Sequence, residues 1–329
     1  MRVVITGAAG FLGSRLARAI LARGSLTDSR GNLRPVRELV LADIAAPPPS
    51  TDERVRTMAG NLSETDSVDS VITPETNSVF HLAAIVSAEA EADFDIGMRV
   101  NVDATRSLLE RCRACVAPPK FVFASSLAVF GGAVPDPVPD NAPLMPQTSY
   151  GTQKAIGELL VNDMSRKGFI DGRSLRLPTV VVRPGKPNKA ASSFASSIIR
   201  DPLAGIDVDC PVARTTRMWL ASPATVVDNI IRGHEAPAEG FTYSRSINLP
   251  GISVAVEQMV DCLRRVAGDE VAARVRWNYD AAIDRIVSTW PARFEATAAR
   301  TLGMRQDQHF ESVIRAHIAD SGIGLAGPI

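Results

Sequence analysis

The stretch Arg2-Val3-Val4-Ile5-Thr6-Gly7-Ala8-Ala9-Gly10-Phe11-Leu12-Gly13 decides the fold. Residues 2–6, largely β-branched, predict a buried strand, and apolar residues returning at three and four over 11–22 predict a helix. The turn between them carries glycines at 7, 10 and 13. Glycine there permits a tight turn, close approach of backbone N–H groups to a pyrophosphate, and close packing of helix on strand, with phosphate charge at the positive helix N-terminus. A strand before and a helix after separate this turn from an ordinary glycine-rich connection. Gly7, Gly10, Phe11, Leu12 and Gly13 are therefore candidate cofactor contacts.

Outward from this unit, short β-branched runs alternate with helical patterns. Strands are predicted at 38–42, 55–59, 78–83, 120–125 and 174–182, and the clearest helices at 94–115 and 149–167. With right-handed crossovers this alternation gives an α/β fold, a doubly wound parallel sheet. The polar segment 24–37 reads as an inserted loop or small hairpin, and the proline run at 47–49 as surface loop. After Arg183-Pro184-Gly185 the alternation decays, with helices near 226–234 and 254–266. The expected division is a nucleotide-binding domain over 1–182, carrying the catalytic residues, and a smaller, mainly substrate-binding domain over 183–329, some of whose segments return to the first.

With 329 residues, 45% of them hydrophobic, the chain can bury a real core, which excludes a disordered or fibrous protein. Thirty-six basic against thirty-six acidic residues supply no field for nucleic acid or an anionic membrane, so the expected partner is a small molecule. The short apolar start is no signal peptide and no run reaches the ~18 residues of a membrane span, so a soluble, cytoplasmic protein is expected. Four cysteines are too few for a disulfide framework; Cys112 and Cys115 lie late in a helix rather than at the N-terminus that would activate a thiol. No metal site is expected. Lysine occurs only at 120, 154, 167, 186 and 189, so each marks a place where a compact ammonium could matter.

Asp43 ends the second strand of the alternation, where a carboxylate can accept ribose hydroxyls and repel a 2′-phosphate; this favours NAD over NADP. Tyr150 and Lys154 stand one helical turn apart on the same face. A cation there should pull the phenol pKa toward neutrality and make Tyr150 a usable general base. Ser126, at the tip of a buried strand 24 residues earlier, can hydrogen-bond the reacting oxygen.

These residues resemble the extended short-chain dehydrogenase/reductase family, the NAD-dependent epimerases and dehydratases. The likeness is carried by Thr6–Gly13, by His81-Leu82-Ala83-Ala84, by Asn101, by Ser125-Ser126 with Val129-Phe130-Gly131, and by Tyr150 with Lys154. The resemblance implies a Rossmann fold and a catalytic triad of Ser126, Tyr150 and Lys154. It also implies NAD contacts from Asp43, Asn61, Leu62, Leu82, Ala83, Ala84, Asn101, Pro178 and Thr179 beside the glycine turn, with Tyr150 and Lys154 touching the cofactor too. His81 is expected to support the strand end rather than react. Asn61 stands where the family often has Asp, and Phe130 where Tyr is common. A homodimer through the helices at 94–115 and 149–167 is implied as well.

On the substrate side, Lys186, Asn188 and Ser193 belong to a loop that leads into a helix N-terminus and suits a small carboxylate bearing hydroxyls. Arg217 is the expected second anion clamp, with Ser126 and Tyr150 at the reacting carbon. Residues 183–194 and 219–223 resemble, more narrowly, the sugar-acid dehydrogenases of the family. That implies oxidation of the carbon-2 hydroxyl of a four-carbon sugar acid, D-erythronate, to the 2-oxo acid. Two alternatives stand beside it: a nucleotide-sugar 4-epimerase with the same triad, and a non-catalytic dinucleotide-sensing module.

Overall fold

The computed structural model describes residues 1–185, 191–241 and 244–323. The chain runs through β1 (Arg2–Thr6), a hairpin of β2 (Ser25–Thr27) and β3 (Leu33–Pro35), then β4 (Glu38–Asp43), β5 (Val55–Ala59), β6 (Thr76–His81), β7 (Lys120–Ser126) and β8 (Asp171–Leu177). The second half adds β9 (Thr179–Val180), β10 (Val208–Cys210), β11 (Arg217–Ala221), β12 (Ser246–Asn248), β13 (Ile252–Ala255) and β14 (Val275–Trp277). Seven strands form one sheet in the order β12-β8-β7-β6-β1-β4-β5, every neighbouring pair parallel. The chain order reverses beside β1, which opens a crevice at the carboxyl ends of β1 and β6.

Alternation along each strand builds two cores. Val3 and Ile5 face the helices Phe11–Arg23 and Pro223–Glu235 through Leu16, Ile20, Val226 and Ile230. Val4, with Val40, Val79, Phe121 and Phe123, faces the helices Thr65–Val71, Ala104–Arg113 and Ser149–Arg166. The doubly wound sheet expected from the alternation is thus present, and β12 and the helix Pro223–Glu235 belong to it although they come from the second half. A third core gathers the helices Ser193–Leu203, Val256–Ala267 and Phe310–Ser321 around the three-stranded sheet β13-β11-β9.

Two expectations change in detail, and a third is borne out. The strand expected at 174–182 stops at Leu177, because Pro178 has no N–H to continue the ladder; Thr179–Val180 then pairs with β11 instead. The long helix at 94–115 is split into Phe94–Gly97, a π-helical turn at Met98–Asp103 and Ala104–Arg113. The segment 24–37 is a hairpin whose Thr27 is tied to the sheet: Lys120 Nζ donates to its hydroxyl at 2.6 Å and to the His234 carbonyl at 2.8 Å. No described helix is long and apolar enough to cross a membrane.

Candidate active site

The glycine turn is pressed against the end of β6. Gly7 has φ +70°, and a Cβ there would lie 2.6 Å from the Ala83 nitrogen; one at Gly13 would lie 2.2 Å from the Gly7 carbonyl oxygen. Side chains at either place would fill the cradle. The helix Phe11–Arg23 begins at Gly10 with no capping side chain and no acidic residue in its first turn. No side chain of the helix itself thus claims its first N–H groups or its positive pole, which fits a pyrophosphate. Asp43, at the end of β4, accepts the Ala9 N–H at 2.9 Å through one oxygen and the Ala45 N–H at 3.3 Å through the other. The carboxylate is thereby fixed at the rim of the cradle.

Leu82, Ala83 and Ala84 follow β6 directly, with Ala83 N–H donating to the Thr6 hydroxyl at 3.3 Å. Asn61 accepts the Ser63 N–H at 3.0 Å beside the buried Leu62. Asn101 is buried in the π-helical turn, where its amide bonds the Ile85 N–H at 2.9 Å, the Ile85 carbonyl at 3.1 Å and Gln153 Oε1 at 2.7 Å. These bonds hold the backbone after β6 in place. His81 sits between the hydroxyls of Thr6 (2.7 Å) and Thr105 (2.9 Å), and burial pushes its pKa down to about 3. It is a neutral strut.

β7 delivers Ser126 to the same end of the sheet, where its hydroxyl accepts the Ala128 N–H at 3.1 Å and starts the short turn Leu127–Val129. The helix Ser149–Arg166 starts against that turn. A Cβ at Gly151 would lie only 2.1 Å from the Ala128 carbonyl oxygen, so glycine after Tyr150 lets the phenol come close to Ser126. Spacing suggested Lys154 as the group that lowers the phenol's pKa. In the structure burial raises it, opposed by the Ser126 hydroxyl and by the guanidinium of Arg183.

Lys154 itself is buried, its Nζ 4.7 Å from the ring centroid of Phe123 and 5.7 Å from that of Tyr150. Burial pushes the ammonium down to about 7, while Glu158, one turn further along, pulls it up. Glu158 is in turn held by Arg176 at 2.8 Å and by the Ser125 hydroxyl at 2.5 Å, and Arg176 reaches Asn248 Oδ1 at 3.2 Å. This buried chain links the helix of Tyr150 and Lys154 to β8 and β12.

The expected substrate residues fare unevenly. Lys186 and Asn188 lie outside the described residues. Ser193 opens the helix Ser193–Leu203, and Pro178 and Thr179 mark the break after β8. Arg217 is exposed, with Nε donating to the Ser253 hydroxyl at 3.2 Å and Nη2 to its carbonyl at 3.0 Å. Arg183, Glu158 and Arg176 carry no local sequence signal that marks them as part of the site. The ring of Phe294 packs 5.8 Å from that of Phe130 and 5.7 Å from that of Trp219, and the guanidinium of Arg176 lies 4.8 Å from the Phe130 centroid. Cys112 is buried and its thiol raised well above the ordinary range, as an inert cysteine should be. No group of three His, Cys, Asp or Glu that could hold a metal occurs among the described residues.

Comparison with known proteins adds four likenesses. The model of the NAD dependent epimerase/dehydratase family matches residues 3–220. A D-erythronate dehydrogenase of Cupriavidus necator is 52% identical over 98% of this chain and 99% of its own, and one of Haemophilus influenzae is 47% identical over 97% and 99%. The crystal structure of a nucleoside-diphosphate-sugar epimerase from Agrobacterium tumefaciens superposes with a TM-score of 0.92 at 40% identity, covering 98% of this chain and 95% of that one.

Proposed function

The chain belongs to the NAD dependent epimerase/dehydratase family, and on that premise we propose that it oxidises the carbon-2 hydroxyl of D-erythronate to 2-oxo-D-erythronate with NAD. The observation that carries this reading is identity of 52% and 47% to two D-erythronate dehydrogenases over nearly the whole length of each chain. The grouping of Ser126, Tyr150 and Lys154 at the carboxyl edge of the sheet supports it.

In this reading Tyr150 takes the proton of the carbon-2 hydroxyl, and Ser126 hydrogen-bonds the same oxygen as charge develops on it. Burial works against the phenolate, and the Ser126 hydroxyl and then the positive charge of Arg183 offset part of that cost. Lys154 binds the hydroxyls of the nicotinamide ribose from its buried position. Asp43 takes those of the adenosine ribose and repels a 2′-phosphate. NAD, when bound, supplies the acceptor for the hydride leaving carbon 2. Residues 1–182 would hold the cofactor and 183–329 mainly the substrate. A cytoplasmic homodimer completes the proposal, joined through the segments 94–113 and 149–166, which expose Phe94 (59%) and Leu159 (61%); sedimentation at micromolar concentration tests the dimer.

The likeness to a nucleoside-diphosphate-sugar epimerase keeps a second reading in play. One screen separates the two: NAD reduction across four-, five- and six-carbon aldonates, alongside turnover of nucleotide sugars. D-Erythronate should be the best substrate and nucleotide sugars inert. Tyr150→Phe should lower the rate at least ~100-fold with NAD affinity nearly intact. Turnover of nucleotide sugars without oxidation of any sugar acid would refute the dehydrogenase reading, and steady NAD reduction by any sugar acid dismisses a non-catalytic sensor.

A further inference from the structure

Arginines that turn into this fold come with carboxylates. Arg2 pairs with Glu38 at 3.2 Å, Arg176 with Glu158 at 2.8 Å, Arg200 with Asp201 at 2.8 Å, and Arg173 with Asp171. Arg183 departs from this pattern. Its Nε donates to the Val180 carbonyl at 3.1 Å and its Nη2 to the Ser192 hydroxyl at 3.2 Å, both neutral acceptors. Among the described residues no carboxylate pairs with it. A half-buried guanidinium with neutral partners keeps most of its desolvation cost uncompensated, and an anion brought to it relieves that cost.

The position is also rigid. Arg183 N–H donates to the Ser196 hydroxyl at 3.0 Å, and Arg200 Nη1 donates to the Arg183 carbonyl at 3.1 Å, so the backbone is clamped on both sides against the helix Ser193–Leu203. The guanidinium lies within electrostatic range of the Tyr150 phenol, so the charge of each acts on the other. Arg217, the other cation considered for this role, is spent on Ser253 at an exposed strand.

In a 2-hydroxy acid the carboxylate is bonded directly to the carbon whose hydroxyl must meet Tyr150. A cation within electrostatic range of that phenol is therefore within range of the carboxylate as well. Two N–H groups of a guanidinium match the two oxygens of a carboxylate, a match an ammonium cannot make. We propose that Arg183 binds the substrate carboxylate and so selects 2-hydroxy acids over neutral alcohols. The assignment rests on Tyr150 being the base that receives the carbon-2 hydroxyl. A neutral alcohol would leave Arg183 without its anion, and a site built for a charged partner rejects an analogue that lacks it.

Two measurements on the NAD-loaded enzyme test this: steady-state kinetics with D-erythronate, and calorimetric binding of glycolate, the smallest 2-hydroxy acid. Arg183→Gln should raise KM about ten- to a hundredfold, the loss of one charged hydrogen-bonding partner, with a smaller fall in kcat. Glycolate binding should be lost while NAD affinity stays unchanged. Arg183→Lys, which keeps the charge and is the safer variant for folding, should weaken glycolate about threefold or more, because the paired donors are gone. Glycolate affinity equal to wild type in either folded variant, or a fall in kcat with KM unmoved, would overturn the assignment. Glycolate binding does not depend on turnover: a wild-type enzyme that binds glycolate through Arg183 but leaves D-erythronate unoxidised refutes the erythronate reading alone.

Discussion

Glu158→Gln is the substitution that should most disturb the interior behind Lys154. Glu158 is buried and receives three contacts from Arg176, at 2.8, 3.0 and 3.2 Å, together with the Ser125 hydroxyl. Replacing the carboxylate by an amide leaves the Arg176 guanidinium buried, with Asn248 Oδ1 and the face of Phe130 at 4.8 Å as its remaining company. Removing one partner of a buried pair costs about 3–5 kcal/mol, a large part of the roughly 5–15 kcal/mol that holds a domain folded. At about 2 °C per kcal/mol, the lower end for large domains, the melting temperature should fall by roughly 6–10 °C. Replacing both partners by apolar residues, Glu158→Leu with Arg176→Met, should recover much of this, because no buried charge is then left alone.

The same variant has a catalytic readout. The groups facing Lys154 are Tyr150 a turn before it, neutral His81 at the end of β6, and Glu158, which alone pulls its pKa upward against burial. Without that carboxylate the ammonium should lose its proton below its present value of about 7. If the ammonium is the working form, the alkaline limb of kcat/KM moves toward acid. A scanning-calorimetry melt within about 2 °C of wild type, together with an unmoved alkaline limb, would refute both parts of the reasoning.

Asp43→Ser should weaken NAD and relieve the repulsion of NADP, so the ratio of kcat/KM for the two cofactors should shift toward NADP; a wild-type enzyme that already prefers NADP contradicts the assignment. Acid should destabilise the fold through its buried histidines. His81 and His234 are held at about 3 and about 4 by burial, below their ordinary 6.5. Between those values the unfolded chain binds protons that the native one refuses, so the stability present above pH 6.5 is lost as pH falls. At about 1.4 kcal/mol per unit, going from pH 7 to pH 5 should cost roughly 2 kcal/mol for each histidine. Urea unfolding at the two pH values measures it, and equal stabilities would refute it.

What was legible in the sequence is what depends on near neighbours. The 150/154 pair needs only one helical turn, Ser126 only a strand tip, and the glycine turn only the strand and helix that flank it. The role of a charge is different, because it depends on which partner claims it, and partners come from elsewhere in the chain. Arg176 is claimed by Glu158, 18 residues away, and Arg217 by Ser253, 36 residues away. Neither pairing has a periodicity that points to it. Arg183 stands where it does because Pro178 ends β8 and Thr179–Val180 crosses to β11, a change of sheet set by a missing N–H and by a strand some 40 residues later. In a chain with thirty-six charges of each sign, the total says nothing about which cation lacks its anion. Only the pairings do, and they leave Arg183, within electrostatic range of the phenol, with neutral oxygens for company. The charge that matters most to a substrate carboxylate is thus found by subtraction over the whole fold, which no local pattern can perform.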